Sequence, residues 1–409
     1  MQKTPKGFRL HIGIFGRRNV GKSSILNALT HHQVSIVSDF KGTTTDPVEK
    51  AMEMLPLGPV MFIDTAGLDD EGALGNLRIE KTKAVFDRCD LALLITDGLW
   101  QKDEQNLVEE FKKRNIPWIA VLNKADICNH QKLEADLKDK NIPVIQVSAN
   151  DLDSIHALKL KIIEHAPADF LENRQIVGDL IPENGHVVLV VPIDKEAPKG
   201  RLILPQVQTI RDILDAHHTC SVCQEPQLKN MLDMLKNPPC LVVTDSQAFG
   251  SVSQIVPENI MLTGFSVLFA RFKGELNSMV KGAAVIERLQ PTDRILIAEA
   301  CTHHPIQDDI GRVKIPNWLR RKVGQELNID VLSGPDFPQD LSKYQLIIHC
   351  GACMWTRRQV LARQHRAAIQ NVSMTNYGLA IAALHGILDR ALQPFPEALD
   401  IWNGMVRQQ

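Results

Sequence analysis

One segment constrains this chain more than any other: Gly16-Arg17-Arg18-Asn19-Val20-Gly21-Lys22-Ser23 fits the pattern G-x-x-x-x-G-K-S. It follows the apolar residues 12–15 directly and precedes a helical pattern at residues 24–30. Between a strand and a helix, such glycines let backbone N–H groups surround phosphates, while the lysine reaches the outer phosphates and the serine hydroxyl binds Mg²⁺. The motif therefore predicts nucleotide-binding positions at Asn19, Val20, Gly21, Lys22, Ser23 and Ser24.

Short apolar runs alternate with helical patterns over the first 165 residues. Strands are predicted at residues 10–15, 60–63, 91–95, 118–122 and 144–147, and this alternation is typical of a mostly parallel sheet covered by helices on both faces. Further strand and helix patterns follow residue 186. We therefore predict an α/β protein: a P-loop domain over residues 1–168, a linker over 169–185, and two smaller α/β domains over 186–264 and 265–409.

Four further segments follow in the order expected of a GTPase: Lys41-Gly42-Thr43-Thr44-Thr45, Asp64-Thr65-Ala66-Gly67, Asn123-Lys124-Ala125-Asp126 and Ser148-Ala149-Asn150. The last three lie at the carboxyl ends of predicted strands, which is the edge where such sheets bind ligands. A threonine in the first segment can close over the γ-phosphate. We choose Thr44 over Thr43 and Thr45.

The segments assign roles around a guanine nucleotide. Asp126 can accept two hydrogen bonds from the guanine edge, and the Ala149 N–H can reach the base carbonyl. The predicted base-binding positions are Asn123, Lys124, Asp126, Ser148 and Ala149. The predicted catalytic positions are Lys22, Thr44, Asp64 and Gly67, with Ser23 and Thr44 as Mg²⁺ ligands.

Residues 8–167 resemble the TrmE–Era branch of GTPases in these motifs. Leu68 stands where Ras-like proteins carry a catalytic glutamine, so no side chain there can orient the attacking water and slow hydrolysis is expected. Asn19 matches the position that binds K⁺ in the potassium-activated members of this branch. The resemblance therefore implies GTP, GDP and Mg²⁺ as ligands, with K⁺ as a further cofactor; a loop hydrogen bond is the alternative role for Asn19.

Cysteine and histidine residues form a second chemical signal near the C-terminus. Cys301 and His303 follow the predicted strand at residues 294–299, while His349, Cys350 and Cys353 follow the strand at 345–348. If these strands are parallel neighbours, both clusters lie at the same edge of the sheet. Three cysteines favour an iron–sulfur cluster, although three cysteines and one histidine also satisfy zinc.

The pattern Cys301-Thr302-His303, a gap of 45 residues (304 to 348), then His349-Cys350-Gly351-Ala352-Cys353 is similar to the cluster motif of the FeFe-hydrogenase maturation GTPases, the HydF family. That resemblance covers essentially the whole chain. It implies a homodimeric scaffold that holds a 4Fe-4S cluster on Cys301, Cys350 and Cys353, with His303 and His349 as accessory ligands. It also implies a di-iron precursor received from radical-enzyme maturases and delivered to apo FeFe-hydrogenase.

Other candidate metal ligands are weaker. Asp194 is a possible fourth cluster ligand, with a solvated turn as its alternative role. His217, His218, Cys220 and Cys223 could bind zinc, although a lone C-x-x-C pair is weak evidence. Cys89, Cys128 and Cys240 are interpreted as packing residues. Arg357 and Arg358 could attract an anionic cluster or lie on a solvated helix face.

Composition limits the partners. Lys+Arg is 46 and Asp+Glu is 48, so the formal net charge is −2, which argues against a dedicated nucleic-acid binder. No apolar run approaches the roughly 20 residues of a membrane helix, and no secretory signal is visible, so we expect a cytoplasmic protein. Two alternatives remain open: a tRNA-modification or ribosome-assembly GTPase, and a zinc-stabilised GTPase switch without a cluster.

Overall fold

A computed structural model describes residues 4–31, 47–65, 84–167, 170, 174–193, 202–300, 309–334 and 337–406. The chain divides into two compact units, Met1–Arg174 and Gln175–Gln409. Both units are α/β. The predicted domain boundaries at residues 168, 185 and 264 stay predictions.

The first unit contains a sheet with strand order β2-β3-β1-β4-β5-β6 among the described residues. Its strands are β1 (Leu10–Phe15), β2 (Val48–Met54), β3 (Gly58–Asp64), β4 (Leu91–Thr96), β5 (Trp118–Leu122) and β6 (Val144–Gln146). Its helices are α1 (Lys22–His31), α2 (Lys102–Lys113), α3 (Gln131–Asp139) and α4 (Leu152–His165), after a 3₁₀ turn at Lys6–Phe8. Within this part of the chain, β2 pairs antiparallel with β3 and the other pairs are parallel.

Both faces of this sheet are covered. Helices α1 and α4 pack on one face through residues such as Leu26 and Leu158, against Ile12 and Val121 of the sheet. Helix α2 packs on the other face, where Phe111 contacts Phe15 with ring centroids 5.1 Å apart. Strands that are buried on both faces appear in the sequence as continuous apolar runs. For this reason β1, β4 and β5 could be predicted.

His11 makes the stability of the first unit sensitive to pH. Its side chain on β1 is 3% exposed, and burial, followed by the charge of Arg88, lowers the pKa of the ring from 6.5 to about 4. Because the folded unit favours the neutral ring, the unfolded chain binds a proton first as the pH falls. The stability that the neutral His11 ring contributes is therefore complete above pH 6.5. It is lost between pH 6.5 and 4, at up to about 1.4 kcal/mol per pH unit.

We expect urea to unfold the first unit at a lower concentration at pH 5 than at pH 7, measured by release of fluorescent GDP. His11→Leu removes the titrating ring, so its midpoint changes less between the two pH values. Equal changes in both chains would show that His11 does not govern this dependence.

The second unit begins with a parallel sheet of order β10-β9-β7-β8. Its strands are β7 (His186–Val190), β8 (Thr219–Cys223), β9 (Leu241–Thr244) and β10 (Met261–Gly264). The helices are α5 (Leu204–Asp215), α6 (Leu228–Met234) and α7 (Phe249–Ile255), with 3₁₀ turns at Gly178–Leu180 and Glu225–Gln227.

A second parallel sheet in this unit has the order β12-β11-β13-β14. Its strands are β11 (Arg294–Glu299), β12 (Asn328–Ser333), β13 (Leu346–His349) and β14 (Ser373–Asn376). The helices are α8 (Phe265–Lys273), α9 (Leu276–Ala284), α10 (Ile315–Val323), α11 (Arg357–Ile369), α12 (Tyr377–Leu384), α13 (Leu388–Ala391) and α14 (Pro396–Val406), with a 3₁₀ turn at Val285–Arg288 and a π-helical turn at Ile310–Lys314.

Hydrogen bonds join helix α13 to strand β10 of the first sheet in this unit and to the turn before that strand. The Thr263 hydroxyl donates to the Ala391 carbonyl over 2.8 Å. The Arg390 guanidinium donates to the carbonyls of Pro257 over 2.7 Å and Ile260 over 3.0 Å.

Some elements differ from the sequence prediction. Helices α12 and α13 are separate elements because the chain turns at Gly386 with φ 69°. The edge strands β2 and β8 were not predicted, since their exposed and half-buried side chains interrupt the apolar run that marks a buried strand.

In the described parts of the chain, no helix has both the length and the apolar character needed to cross a membrane.

Candidate nucleotide site and cysteine loop

The P-loop backbone turns through conformations that favour glycine. Gly16 has φ 144° and Gly21 has φ 94°. A Cβ at Gly16 would lie 2.3 Å from the Ile95 carbonyl oxygen, and one at Gly21 would lie 2.2 Å from Asn123 Nδ2. Both positions therefore require glycine. Asn19, at φ 63°, is exposed.

Lys22 is held at this loop. Its side chain is buried, and Nζ donates to the Gly16 carbonyl over 2.9 Å and to the Arg17 carbonyl over 2.7 Å. The ammonium therefore lies against the loop whose N–H groups are suited to phosphate oxygens.

Ser23 and Asp64 form the second part of the phosphate site. Ser23 Oγ donates to Asp64 Oδ2 over 2.7 Å, while Asp64 Oδ1 is buried with no hydrogen-bond partner among the described residues. Burial raises the pKa of the Asp64 carboxyl, although the hydrogen bond from Ser23 and the charge of Lys22 act in the opposite direction. A hydroxyl beside a partly unsatisfied carboxylate is the oxygen donor set that Mg²⁺ prefers, so these residues fit the ion.

The base-binding segments meet the P-loop at the same edge of the sheet. Asn123 Nδ2 donates to the Val20 carbonyl over 2.8 Å, and His130 Nε2 donates to the Asn123 carbonyl over 2.8 Å. Asp126 is exposed, as an acceptor for a base must be, whereas Ser148 is buried and its hydroxyl accepts from the Asn150 N–H over 3.3 Å. Ala149, which follows Ser148 directly, is half-buried.

A charged network supports the P-loop and was not predicted. Arg17 Nε donates to Glu104 Oε1 over 2.6 Å, and Arg17 Nη2 donates to Asp97 Oδ1 over 3.1 Å. Lys124 Nζ lies 3.6 Å from Asp97 Oδ2. Asp97 thus lies between the phosphate loop and the base loop. The position of Asp97 just after β4 could have identified it as a site residue from the sequence. Glu104 lies in an amphipathic helix, where its sequence pattern is that of an ordinary surface residue.

Several residues named in the sequence analysis lie outside the described residues: Thr43, Thr44, Thr45, Gly67, Leu68, Asp194, Cys301 and His303. Their predicted roles stay predictions. The remaining predicted positions of the P-loop and the base site meet at the carboxyl edge of the first sheet.

The two strands that precede the cysteine segments are parallel neighbours, with Ala298 in register with His349. Cys350 Sγ accepts a hydrogen bond over 3.0 Å from the N–H of Ala300, the residue before Cys301. The cysteine loop, defined here as residues 350–355, continues through Ala352 at φ 49°. The carboxyl ends of β11 and β13, which precede the two cysteine segments, therefore meet at one edge of the sheet. A three-cysteine cluster requires this arrangement.

His349 is buried and both of its ring nitrogens are hydrogen-bonded. Nδ1 donates to the Cys350 carbonyl over 2.8 Å, and Nε2 accepts from Arg363 Nη1 over 3.0 Å. Burial, followed by the charge of Arg363, lowers the pKa of His349 to about 3. The Arg363 guanidinium carbon lies 4.0 Å from the Trp355 ring centroid. In this conformation His349 supports the cysteine loop, and its accessory-ligand role stays a prediction.

The second C-x-x-C pair lies within strand β8. Side chains three residues apart on a strand point to opposite faces, so Cys220 and Cys223 do not present two thiols to one ion. Cys89 is buried and donates to the Leu91 carbonyl, Cys240 donates to the His186 carbonyl, and Cys128 is half-buried. Among the described residues, no group of three or more His, Cys, Asp or Glu side chains is arranged to hold a metal ion.

Comparison with known proteins defines the class of the first unit. The family "50S ribosome-binding GTPase" matches residues 11–124. The chain is 35% identical over 170 residues to GTPase Der of Wolinella succinogenes, covering 38% of this chain and 35% of that protein. It is 33% identical over 179 residues to tRNA modification GTPase MnmE of Helicobacter acinonychis, covering 42% and 40%. The chain thus spans well under half of these relatives.

Among solved structures, a single-residue variant of Aquifex aeolicus Era bound to GDP.AlF4- is similar at 27% identity and a TM-score of 0.32, over 38% of this chain and 56% of that one. The P-loop geometry and the GTPase matches together define the first unit as a P-loop GTPase domain.

The second unit identifies the family. The hydrogen maturase F dimerization domain matches residues 176–274, and the hydrogen maturase F tetramerization domain matches residues 277–394. With the GTPase domain before them, these two domains give the HydF architecture, and the chain belongs to the HydF family. The predicted family is confirmed, and the two matched domains support self-association of the chain.

Proposed function

We propose that this protein is a scaffold in FeFe-hydrogenase maturation. It holds a 4Fe-4S cluster on Cys301, Cys350 and Cys353, receives a di-iron precursor from radical-enzyme maturases and delivers it to apo FeFe-hydrogenase. The observation that carries the proposal is the 3.0 Å hydrogen bond from the Ala300 N–H to Cys350 Sγ, across the parallel pair β11 and β13. The HydF family of the chain supports the same role.

The cysteine loop offers a chemically suitable environment for such a cluster. Cys350 and Cys353 flank two small residues, Gly351 and Ala352, and a Cβ added at Gly351 would meet no atom of the described residues within 4 Å. Three protein thiolates leave one iron open to exchange, which a docking role for a precursor needs. When bound, the cluster would supply this exchangeable iron, while the protein residues supply thiolates and a polar backbone.

GTP hydrolysis in this proposal is in-line attack of water on the γ-phosphate. Lys22 offsets the charge that develops on the phosphate oxygens, and Ser23, Thr44 and Asp64 hold Mg²⁺. Asn123, Lys124, Asp126, Ser148 and Ala149 select the guanine base. Gly67 lets the backbone approach the γ-phosphate.

Asn19 is proposed to bind K⁺ beside the phosphates. Its side chain is exposed from a left-handed position in the P-loop, with φ 63°, so its amide oxygen can face an ion near the nucleotide. We expect faster GTP turnover in KCl than in NaCl at equal ionic strength, and Asn19→Ala removes the difference. Equal rates of the wild-type chain in the two salts contradict the proposal.

The cluster is tested by metal analysis after anaerobic purification. We expect about four iron atoms per chain and an EPR signal after reduction. Cys301→Ser loses most of the iron, because it removes one of three thiolate ligands. Cys220→Ser is the matched control, since Cys220 lies on strand β8, and it keeps the wild-type iron content.

The result also separates the rival functions. Zinc without iron in the wild-type chain contradicts the proposal and favours a zinc-stabilised GTPase switch. Absence of both metals, with RNA retained on the purified protein, favours a tRNA-modification or ribosome-assembly GTPase.

A further inference from the structure

Lys273, the last residue of helix α8, contacts the cysteine loop from outside the sheet that carries it. Its side chain is 2% exposed. Nζ donates to the carbonyls of Ala352 over 3.3 Å and of Cys353 over 3.1 Å, and also to the carbonyl of Trp355. The Lys273 ammonium therefore donates hydrogen bonds to three backbone carbonyls of a segment about 80 residues away in sequence.

A second cation makes the reverse contact. Arg357 opens helix α11 immediately after the cysteine loop, and its Nη1 donates to the carbonyls of Phe272 over 3.2 Å and Gly274 over 2.7 Å. Its Nη2 donates to Glu275 Oε1 over 2.5 Å. Arg357 is thus engaged with the end of α8, which explains its position without the suggested attraction to a cluster. Lys273 at the end of α8 donates to carbonyls of the cysteine loop, and Arg357 at the start of α11 donates to carbonyls at the end of α8.

The charge of Lys273 also bears on the thiols. Its ammonium lies at the carbonyl of Cys353, which is itself one of the proposed cluster ligands. A buried ammonium is costly unless dipoles or anions compensate it. The three carbonyls compensate part of this cost, and an anionic thiolate centre adjoining the same loop compensates more.

We propose that Lys273 is a positioning residue for the cluster: its buried ammonium holds the backbone of the cysteine loop and places a positive charge beside the thiolate ligands. This inference rests on the proposed cluster function. Because Lys273 belongs to the matched dimerization domain, which ends at residue 274, whereas the loop belongs to the matched tetramerization domain, Lys273 joins the two domains at the cysteines.

The inference is tested with three variants of the full chain. Lys273→Met removes both the hydrogen bonds and the charge, Lys273→Gln keeps N–H donors without the charge, and Lys281→Met is the control at an exposed lysine of the next helix, α9. Two measurements are made: alkylation of Cys353 by iodoacetamide in apo-protein, followed by mass spectrometry against Cys128 of the same chain, and the midpoint potential of the reduced cluster by EPR titration.

Loss of the charged hydrogen bonds in Lys273→Met frees the loop and is expected to speed alkylation of Cys353 about tenfold, which exceeds the slowing caused by a higher thiol pKa without the nearby cation. Lys273→Gln gives a smaller increase. Both variants lower the midpoint potential below that of the wild-type chain, because a nearby positive charge favours the more negative reduced cluster. Lys281→Met leaves both quantities unchanged.

If Lys273→Met keeps both the wild-type alkylation rate of Cys353 and the wild-type midpoint potential, the inference is overturned. If Lys273→Met does not fold, the same two measurements on Lys273→Gln are used instead. A changed alkylation rate of Cys353 with an unchanged midpoint potential of the cluster would show that Lys273 holds the loop but that its charge does not act on the cluster. Absence of iron from the wild-type chain defeats the proposed function instead, and the alkylation rates then still decide whether Lys273 holds the loop.

Discussion

Replacing Lys22 by Met is expected to lower GTP turnover at saturating GTP by about two to three orders of magnitude. The Lys22 ammonium is buried at the mouth of the P-loop, against the carbonyls of Gly16 and Arg17. It is therefore positioned before the nucleotide arrives, and its charge acts where negative charge develops on the transferred phosphoryl group. Met has a similar length and no charge, so it removes the electrostatic contribution with little change in packing.

Phosphate release from radiolabelled GTP measures the rate, and GTP is raised until the rate no longer increases, so that weaker binding is separated from slower chemistry. Lys132→Met, at an exposed lysine on helix α3, is the control and keeps the wild-type rate. A Lys22→Met rate within a few-fold of the wild-type rate would show that this ammonium does not act on the transition state.

Arg17→Met is expected to destabilise the first unit by about 3 kcal/mol, because it leaves the Glu104 carboxylate buried without its cation. The Glu104 side chain is fully buried and accepts from Arg17 Nε over 2.6 Å. Glu104 also accepts from the Gln101 N–H over 2.8 Å, at the start of helix α2. Hydrogen exchange of the β1 and β4 amides, followed by mass spectrometry, measures the change.

The double variant Arg17→Met with Glu104→Leu separates the two explanations for such a loss. It replaces the ion pair by two apolar side chains, so no charge stays buried alone, and we expect it to recover most of the lost protection. If the double variant is as unstable as Arg17→Met, the defect arises from the altered P-loop and not from the stranded carboxylate.

Much of the fold could be predicted because parallel strands buried on both faces leave a local signal. The runs that became β1, β4, β5 and β11 are mostly apolar, so each strand is visible in a window of six residues or fewer. Strands β2 and β8 lie at the edges of their sheets, where exposed side chains remove that signal. Helix α14, over Pro396–Val406, was also missed.

The sequence by itself determined the P-loop, the aspartate at the end of β3, the base-binding segment and the cysteine pattern, since each depends on residues close together in the chain and on the strand before it. Only the tertiary structure decided what holds these segments in place. Arg17 meets Glu104 across 87 positions, Lys273 meets Cys353 across 80, and Ala300 meets Cys350 across 50. Such contacts arise from how strands order themselves in a sheet and how helices pack on it, and no local pattern of residues encodes which distant partner a side chain will reach.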